Sequence, residues 1–252
     1  MIKILLMVLS AMLLMHARLN AAGETPGELY AKAADAYRAS HYQDAQQLYE
    51  ELIRMGYRNS EVYYNLANCY FKQGQIGRAI LNYERARQLS PADEDILHNL
   101  QLAETKTVDK IQPVPQLPVI TAWKNFVGSL TDDQWAFMAV VLLWVALLPA
   151  AVFLWFWRKP WLILISVLLA LCSLFVFFIG GIQHRHLHNS PYAIILTTQA
   201  GALSAPDPSS TVVFEVHEGT KIRVMDEVSG WTKIRLEDGR VGWLQKTHFE
   251  KI

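Results

Sequence analysis

Cysteine is almost missing from this chain: 252 residues hold two, Cys69 and Cys172. The first falls in a soluble helical stretch and the second deep in an apolar run. The two cannot meet, so no intramolecular disulfide is available. Net charge is missing too, because 23 basic and 23 acidic residues cancel. The balance is also local: residues 24–107 carry nine basic and twelve acidic groups, and 192–252 carry seven and eight. Neither segment has the basic excess that a nucleic-acid backbone demands, which excludes nucleic acid as a partner. No Gly-Lys-[Ser/Thr] phosphate loop, Gly-x-Ser-x-Gly elbow, His-Glu-x-x-His helix or paired-cysteine metal site occurs. Adjacent acids such as Glu50-Glu51 and Glu94-Asp95 sit at solvated helix positions, not in a pocket. The chain reads as non-enzymatic, with no cofactor and no metal.

What is present first is apolar length. Trp135–Trp157 and Trp161–Ile182 stand back to back, separated only by Arg158, Lys159 and Pro160. Each exceeds the roughly 20 residues that cross the hydrocarbon core, and neither contains an ionisable side chain. A transmembrane hairpin is expected, with spans over 131–157 and 161–183 joined by a loop at 158–160. Such a hairpin returns the chain to its starting side, so the flanking soluble parts share one compartment. Arg158 and Lys159 place the connecting loop in the cytoplasm. Lys3 followed by the short apolar run Ile4–Met15, then by Asn20-Ala21-Ala22, suits a signal peptide over 1–22. Both signals put the soluble parts outside the cytoplasmic membrane, with the lipid bilayer as one partner.

The first soluble part, 26–107, is a repeat. In residues 60–93, Tyr63, Leu66-Ala67, Tyr70, Gly74, Ala79, Tyr83, Ala86 and Pro91 stand where the 34-residue tetratricopeptide pattern wants them. Residues 26–59 repeat it more weakly through Leu29, Ala33, Ala36, Ala45, Tyr49 and Leu52, with Ser40 in place of the turn glycine. Glu94–Glu104 restarts the pattern without a partner helix and reads as a cap. Two repeats and a cap fall below the ~3 that such arrays usually need, which leaves a marginal domain or a surface awaiting a partner. The first helix of each repeat lines a peptide-binding groove. Its candidate residues are Tyr30, Tyr37 and Arg38 from the first repeat, Tyr64, Asn65, Asn68, Phe71 and Lys72 from the second, and His98 from the cap. Asn65 and Asn68 also resemble the asparagines of tetratricopeptide clamps for a C-terminal carboxylate, although the matching basic residues are incomplete. The competing reading packs many of these rings between repeats.

Residues 108–130 begin as a stiff spacer with Pro113, Pro115 and Pro118. They end in a stripe of Trp123, Phe126, Val127 and Leu130 that reads as a helix lying in the membrane interface. Thr131 and Gln134 make a capping box at the first span, Pro149 should kink that span, and Pro160 suits the start of the second. His184, His186 and His188 have metal-ligating chemistry, but no carboxylate or cysteine lies near them in sequence, so juxtamembrane polar residues are the preferred reading.

From Tyr192 the pattern changes to short alternating strands. Ala193–Thr198, Thr211–Val216, Thr220–Val228, Trp231–Leu236 and Arg240–Leu244 are separated by a Pro206/Pro208 loop and by turns at Gly219, Ser229-Gly230 and Asp238-Gly239. Five strands over 192–252 predict a small all-β barrel. Glu218-Gly219-Thr220, Gly230-Trp231 and Gly239–Leu244 resemble bacterial SH3-like domains, which implies a binding module. Trp231 is the candidate surface residue, and Trp243 reads as core. The expected fold is therefore a multidomain membrane protein: an all-α tetratricopeptide array, a two-helix transmembrane hairpin and an SH3-like barrel.

The order of these parts resembles the BatE proteins of Bacteroides aerotolerance (Bat) operons. The more telling pieces are Asn99-Leu100-Gln101-Leu102-Ala103, Thr107-Val108-Asp109-Lys110-Ile111 and Phe214-Glu215-Val216-His217-Glu218-Gly219-Thr220. The resemblance implies a bacterial inner-membrane protein, with both soluble domains in the periplasm, acting with other Bat proteins that bear von Willebrand factor A domains and with a MoxR-type ATPase. A scaffold or adaptor linked to aerotolerance or stress is the leading expectation. The alternative is a protein that recognises cell-wall peptidoglycan and recruits a wall enzyme through its repeats.

Overall fold

The computed structural model of the chain describes residues 24–252 apart from 113, 116 and 189. The expected signal peptide, 1–22, lies outside the described residues, as do the side chains at 186 and 188. The described residues divide into two compact units, one running up to Arg58 and the other from Asn59 to Ile252.

In the first unit, α1 (Pro26–Arg38) packs on α2 (Tyr42–Arg54). The Thr25 hydroxyl accepts from the Glu28 N–H and the Glu28 carboxylate accepts from the Thr25 N–H, 3.3 and 2.9 Å. This reciprocal cap satisfies two orphan donors, and Pro26 fits at N1, where its missing N–H costs nothing. Ala33 and Ala45 are completely buried and let the two helices approach, while Tyr49 and Leu52 fill the space beside them. Ser40 makes the turn with φ of 64°.

In the second unit, α3 (Ser60–Lys72), α4 (Ile76–Leu89) and α5 (Glu94–Glu104) follow in order. The Asn59 carboxamide caps α3 by accepting from the Val62 N–H at 2.8 Å, and the Asp93 carboxylate caps α5. Ala67, Ala79 and Ala86 are fully buried between helices, with Tyr70 and Tyr83 in the gaps. Cys69 lies in the same interior, and burial pushes its thiol up to about 12, which leaves it inert. The α3–α4 turn passes through Gly74 at φ of 76°.

Next come α6 (Pro118–Val127), α7 (Asp132–Trp155) and α8 (Pro160–His188). By length and composition α7 and α8 are apolar enough to cross a membrane. They run antiparallel, tied at depth by the Ser166 hydroxyl donating to the Ala146 carbonyl (2.6 Å) and Ser173 to Ala139 (2.7 Å). Such bonds hold helices together where apolar burial confers no advantage over lipid. α7 continues through Pro149 as one helix, and α8 begins on Pro160. Of the amphipathic stripe, Trp123 and Phe126 stay exposed. Val127 turns inward, where its carbonyl accepts from the Trp135 indole N–H at 3.0 Å.

The C-terminal region overturns one expectation. It holds seven strands, not five: β1 (Tyr192–Ile195), β2 (Gln199–Leu203), β3 (Val212–His217), β4 (Lys221–Val228), β5 (Trp231–Arg235), β6 (Val241–Gln245) and β7 (Phe249–Lys251). They form one antiparallel sheet in the order β3-β2-β6-β5-β4-β1-β7, which is open and not the closed barrel expected. The outer strands β3 and β7 do not pair with each other. Groups from outside the sheet satisfy part of both edges: the Asp109 carboxylate accepts from the His217 N–H, and Arg85 donates to the Lys251 carbonyl. That arrangement removes part of the drive for closure. Ala193, Ile195, Ala202, Val216, Ile222, Ile234 and Leu244 form the core of the sheet's inner face.

A β-carbon at the Gly74 turn would have to adopt a left-handed backbone. Gly74→Ala should therefore destabilise the fold by about 1 kcal/mol, read as a lowered melting midpoint of the full chain in detergent by circular dichroism.

Candidate functional site

The proposed groove residues fall into two sets. In the first unit, the Tyr30 ring sits 5.8 Å from Tyr49 edge to face, Tyr37 sits 5.3 Å from Tyr42, and exposed Arg38 is ion-paired with Asp35. In the second unit, the Tyr64 ring lies 5.9 Å from Tyr83 at a tilt of 54°, and its hydroxyl accepts from the Asn99 carboxamide at 2.8 Å. The Asn68 carboxamide oxygen accepts from the Tyr83 hydroxyl. Tyr64 and Asn68 therefore converge on one buried ring. Asn65 and Phe71 are half-buried, whereas Lys72 and His98 are exposed. Trp231 is half-buried at the start of β5, opposite Gln245. Trp243, read as core, is only half-buried and carries the Lys233 ammonium 5.9 Å from its ring centre.

His184 has a partner that its sequence neighbours do not reveal. The helical hairpin brings Asp132 Oδ2 to 2.8 Å from His184 Nδ1. Among the described residues no three His, Cys, Asp or Glu side chains gather to hold a metal ion.

The densest polar constellation joins α4 to the sheet, and sequence reasoning missed it. Glu84 projects from α4 with its side chain 3% exposed, between Lys221 Nζ at 2.6 Å and the Arg87 guanidinium at 2.7 Å. Burial pulls its carboxyl upward, but the charges of Lys221 and Arg87 outweigh that and hold it below the usual range. Asp109 makes a second fastening. One oxygen accepts from the Thr220 hydroxyl at 2.6 Å and the His217 N–H at 2.8 Å, and the other lies 2.8 Å from His217 Nδ1. Burial again raises its pKa, and these donors lower it further than burial raises it.

A third contact needs a glycine. The Gly77 N–H donates to Glu218 at 2.8 Å, and a β-carbon at Gly77 would fall 2.6 Å from Glu218 Cγ and 2.8 Å from the Ile195 carbonyl. Finally, Arg85 reaches Glu250 at 2.7 Å. Each carboxylate here meets a fixed donor, so the chemistry is recognition within the chain. The sequence did carry one signal: the stretches 107–111 and 214–220, singled out by resemblance, prove to touch through Asp109. Glu84 had none, since a Glu three residues before an Arg reads as a surface helix pair.

Two comparisons bear on this arrangement. Residues 30–94 match the tetratricopeptide repeat family, and residues 203–249 match the bacterial SH3 domain. No curated protein matches the chain. The chain thus contains a tetratricopeptide region and a bacterial SH3-like domain, both of them non-catalytic interaction modules.

Removing Glu84 leaves two cations facing each other at the junction. Glu84→Ala should cost about 3 kcal/mol, the low end for a broken buried pair, because Lys221 and Arg87 retain partial access to water. Thermal unfolding of the full chain in detergent measures it. The depressed carboxyls of Glu84 and Asp109 contribute stability that is complete at neutral pH and is lost on acidification, as pH falls through their lowered folded-state values. The melting midpoint should accordingly begin to drop as pH enters the ordinary carboxylate range, about 4, and keep dropping below it. Asp109→Asn should melt lower at pH 6 and lose less on acidification.

Proposed function

We propose that this protein is a membrane-anchored, non-enzymatic scaffold whose tetratricopeptide and SH3-like modules stand on the extracytoplasmic side and assemble an envelope complex. The observation that carries this reading is the junction of α4 with the sheet. A repeat helix fastened to a binding-type sheet at Glu84 and Gly77, with the linker that follows the repeats fastened to the same sheet at Asp109, presents their surfaces in fixed relation, which suits holding two partners at once. The hairpin supports the topology. The Asp132–His184 pair joins the end of α7 that follows the first module to the end of α8 that precedes the second. Arg158 and Lys159, exposed at the opposite end, agree with a cytoplasmic loop. The partners are proposed to be integral Bat-type proteins with von Willebrand factor A domains, linked to aerotolerance or stress, as the resemblance to BatE implies. The repeats are proposed to receive a peptide segment of such a partner, with Lys72 and His98 as the accessible contacts.

Crosslinking co-purification of the full chain from native membranes tests this. Lys72→Glu combined with His98→Glu alters only exposed side chains, so the fold should persist. The wild type should recover von Willebrand-type membrane proteins, and the double variant should lose most of that recovery. Equal recovery by both would remove the repeats from the contact. Recovery of peptidoglycan fragments without protein would overturn the scaffold in favour of wall recognition.

A further inference from the structure

One face of the sheet carries charge that the junction leaves unused. The ladder sets Arg223 of β4 directly opposite Arg235 of β5, and Tyr192 of β1 directly opposite Arg223. One row across three strands therefore reads Tyr-Arg-Arg. Like charges directly opposite on a sheet are destabilising, yet both arginines are exposed and neither forms an ion pair among the described residues. Lys221, two residues before Arg223 on the same face, is already neutralised by Glu84. The row lines a cleft of about 380 Å³. One wall of that cleft is the linker, held where the Val114 N–H donates to the Glu237 carbonyl at 3.1 Å. Glu237 is the single acid among the lining residues. Two arginines directly opposed in the ladder and lining one cleft, against one carboxylate, favour an oxyanion that accepts several N–H bonds at once.

The position of the row identifies the source of that oxyanion. α8 has 29 residues. At 1.5 Å per residue it rises about 43 Å, the thickness of a bilayer including its headgroups. Tyr192 follows the end of α8 by four residues, so fully extended chain keeps it within about 14 Å of that end. The row is thereby tethered beside the headgroup layer. We propose that Arg223, Arg235 and Tyr192 bind the phosphate of an anionic phospholipid and so dock the SH3-like sheet on the bilayer that its own helices cross. This inference rests on the membrane reading given above.

The test uses the full chain in neutral detergent, with bound lipid read by native mass spectrometry. The titrants are short-chain phosphatidylglycerol, short-chain phosphatidylcholine, inorganic phosphate and a soluble muropeptide. Phosphatidylglycerol should bind in preference to phosphatidylcholine. Arg223→Gln with Arg235→Gln should weaken it about tenfold, the loss of a charged hydrogen-bond pair. The melting midpoint of that variant should hold or rise as the like-charge pair is relieved. Unchanged phosphatidylglycerol binding in the variant overturns the proposal, and so does a lowered midpoint, which would make the arginines structural. Muropeptide binding that the variant abolishes, without lipid preference, assigns the cleft to the wall instead. Displacement of lipid by equimolar inorganic phosphate assigns it to a soluble anion, which likewise overturns the lipid source. Alkaline carbonate extraction separates the two readings: release of the chain from native membranes would sink the membrane reading itself, whereas retention leaves only the docking at issue.

Discussion

A carboxylate cannot be buried alone, and much of this architecture follows from how Glu84 is neutralised. It belongs to α4, a helix already committed on one side to packing against α3. Desolvating its charge is tolerable only because Lys221 reaches it from β4 and Arg87 from the next turn of its own helix. The pair is a weak argument for net stability, since apolar residues could fill the same volume. It is a stronger argument for orientation: few relative placements of helix and sheet bring those three groups together. Gly77 constrains the same docking by leaving no side chain in the way, and Asp109 fastens the linker beyond α5 to the β3–β4 corner.

The membrane-type hairpin obeys a different constraint. Between apolar helices in lipid, apolar contact supplies little preference for association. Serine hydroxyls bonded to carbonyls of the facing helix supply it, and the Asp132–His184 pair closes the end from which both soluble parts emerge. Trp135 links this hairpin to α6, burying its ring while its indole N–H finds the Val127 carbonyl. The linker between repeats and hairpin is thus anchored at both ends, at Asp109 on the sheet and at Val127 on the hairpin.

The open sheet shows how such fastening alters an expected form. Its outer strands have partners other than each other, so closure into a barrel would add less than it does for an isolated domain. The two strands that pattern reading missed explain the miscount. Gln199–Leu203 is built from Gln, Ala, Gly, Ala and Leu, with little β-branched or aromatic character, and forms because β3 pairs along its length. Phe249–Lys251 is three residues long and exists as a strand through its ladder to β1.

By itself the sequence determined what periodicity and length encode. These are the helical pairs with small residues at their contacts, the two long apolar helices, the capping box at Thr131 and Gln134, and the alternation of the central strands. Each of these is written in neighbours a few positions apart. Tertiary structure alone decided which polar groups meet. Glu84 with Lys221, Asp109 with His217 and Thr220, Asp132 with His184, and Arg223 beside Arg235 are pairings across turns, a linker or a hairpin. Tyr64 and Asn68, legible as groove residues, were also claimed by a ring and a carboxamide from other helices. Local patterns record which face of an element is apolar. They do not record which distant donor a buried carboxylate will find, because that depends on how whole elements dock.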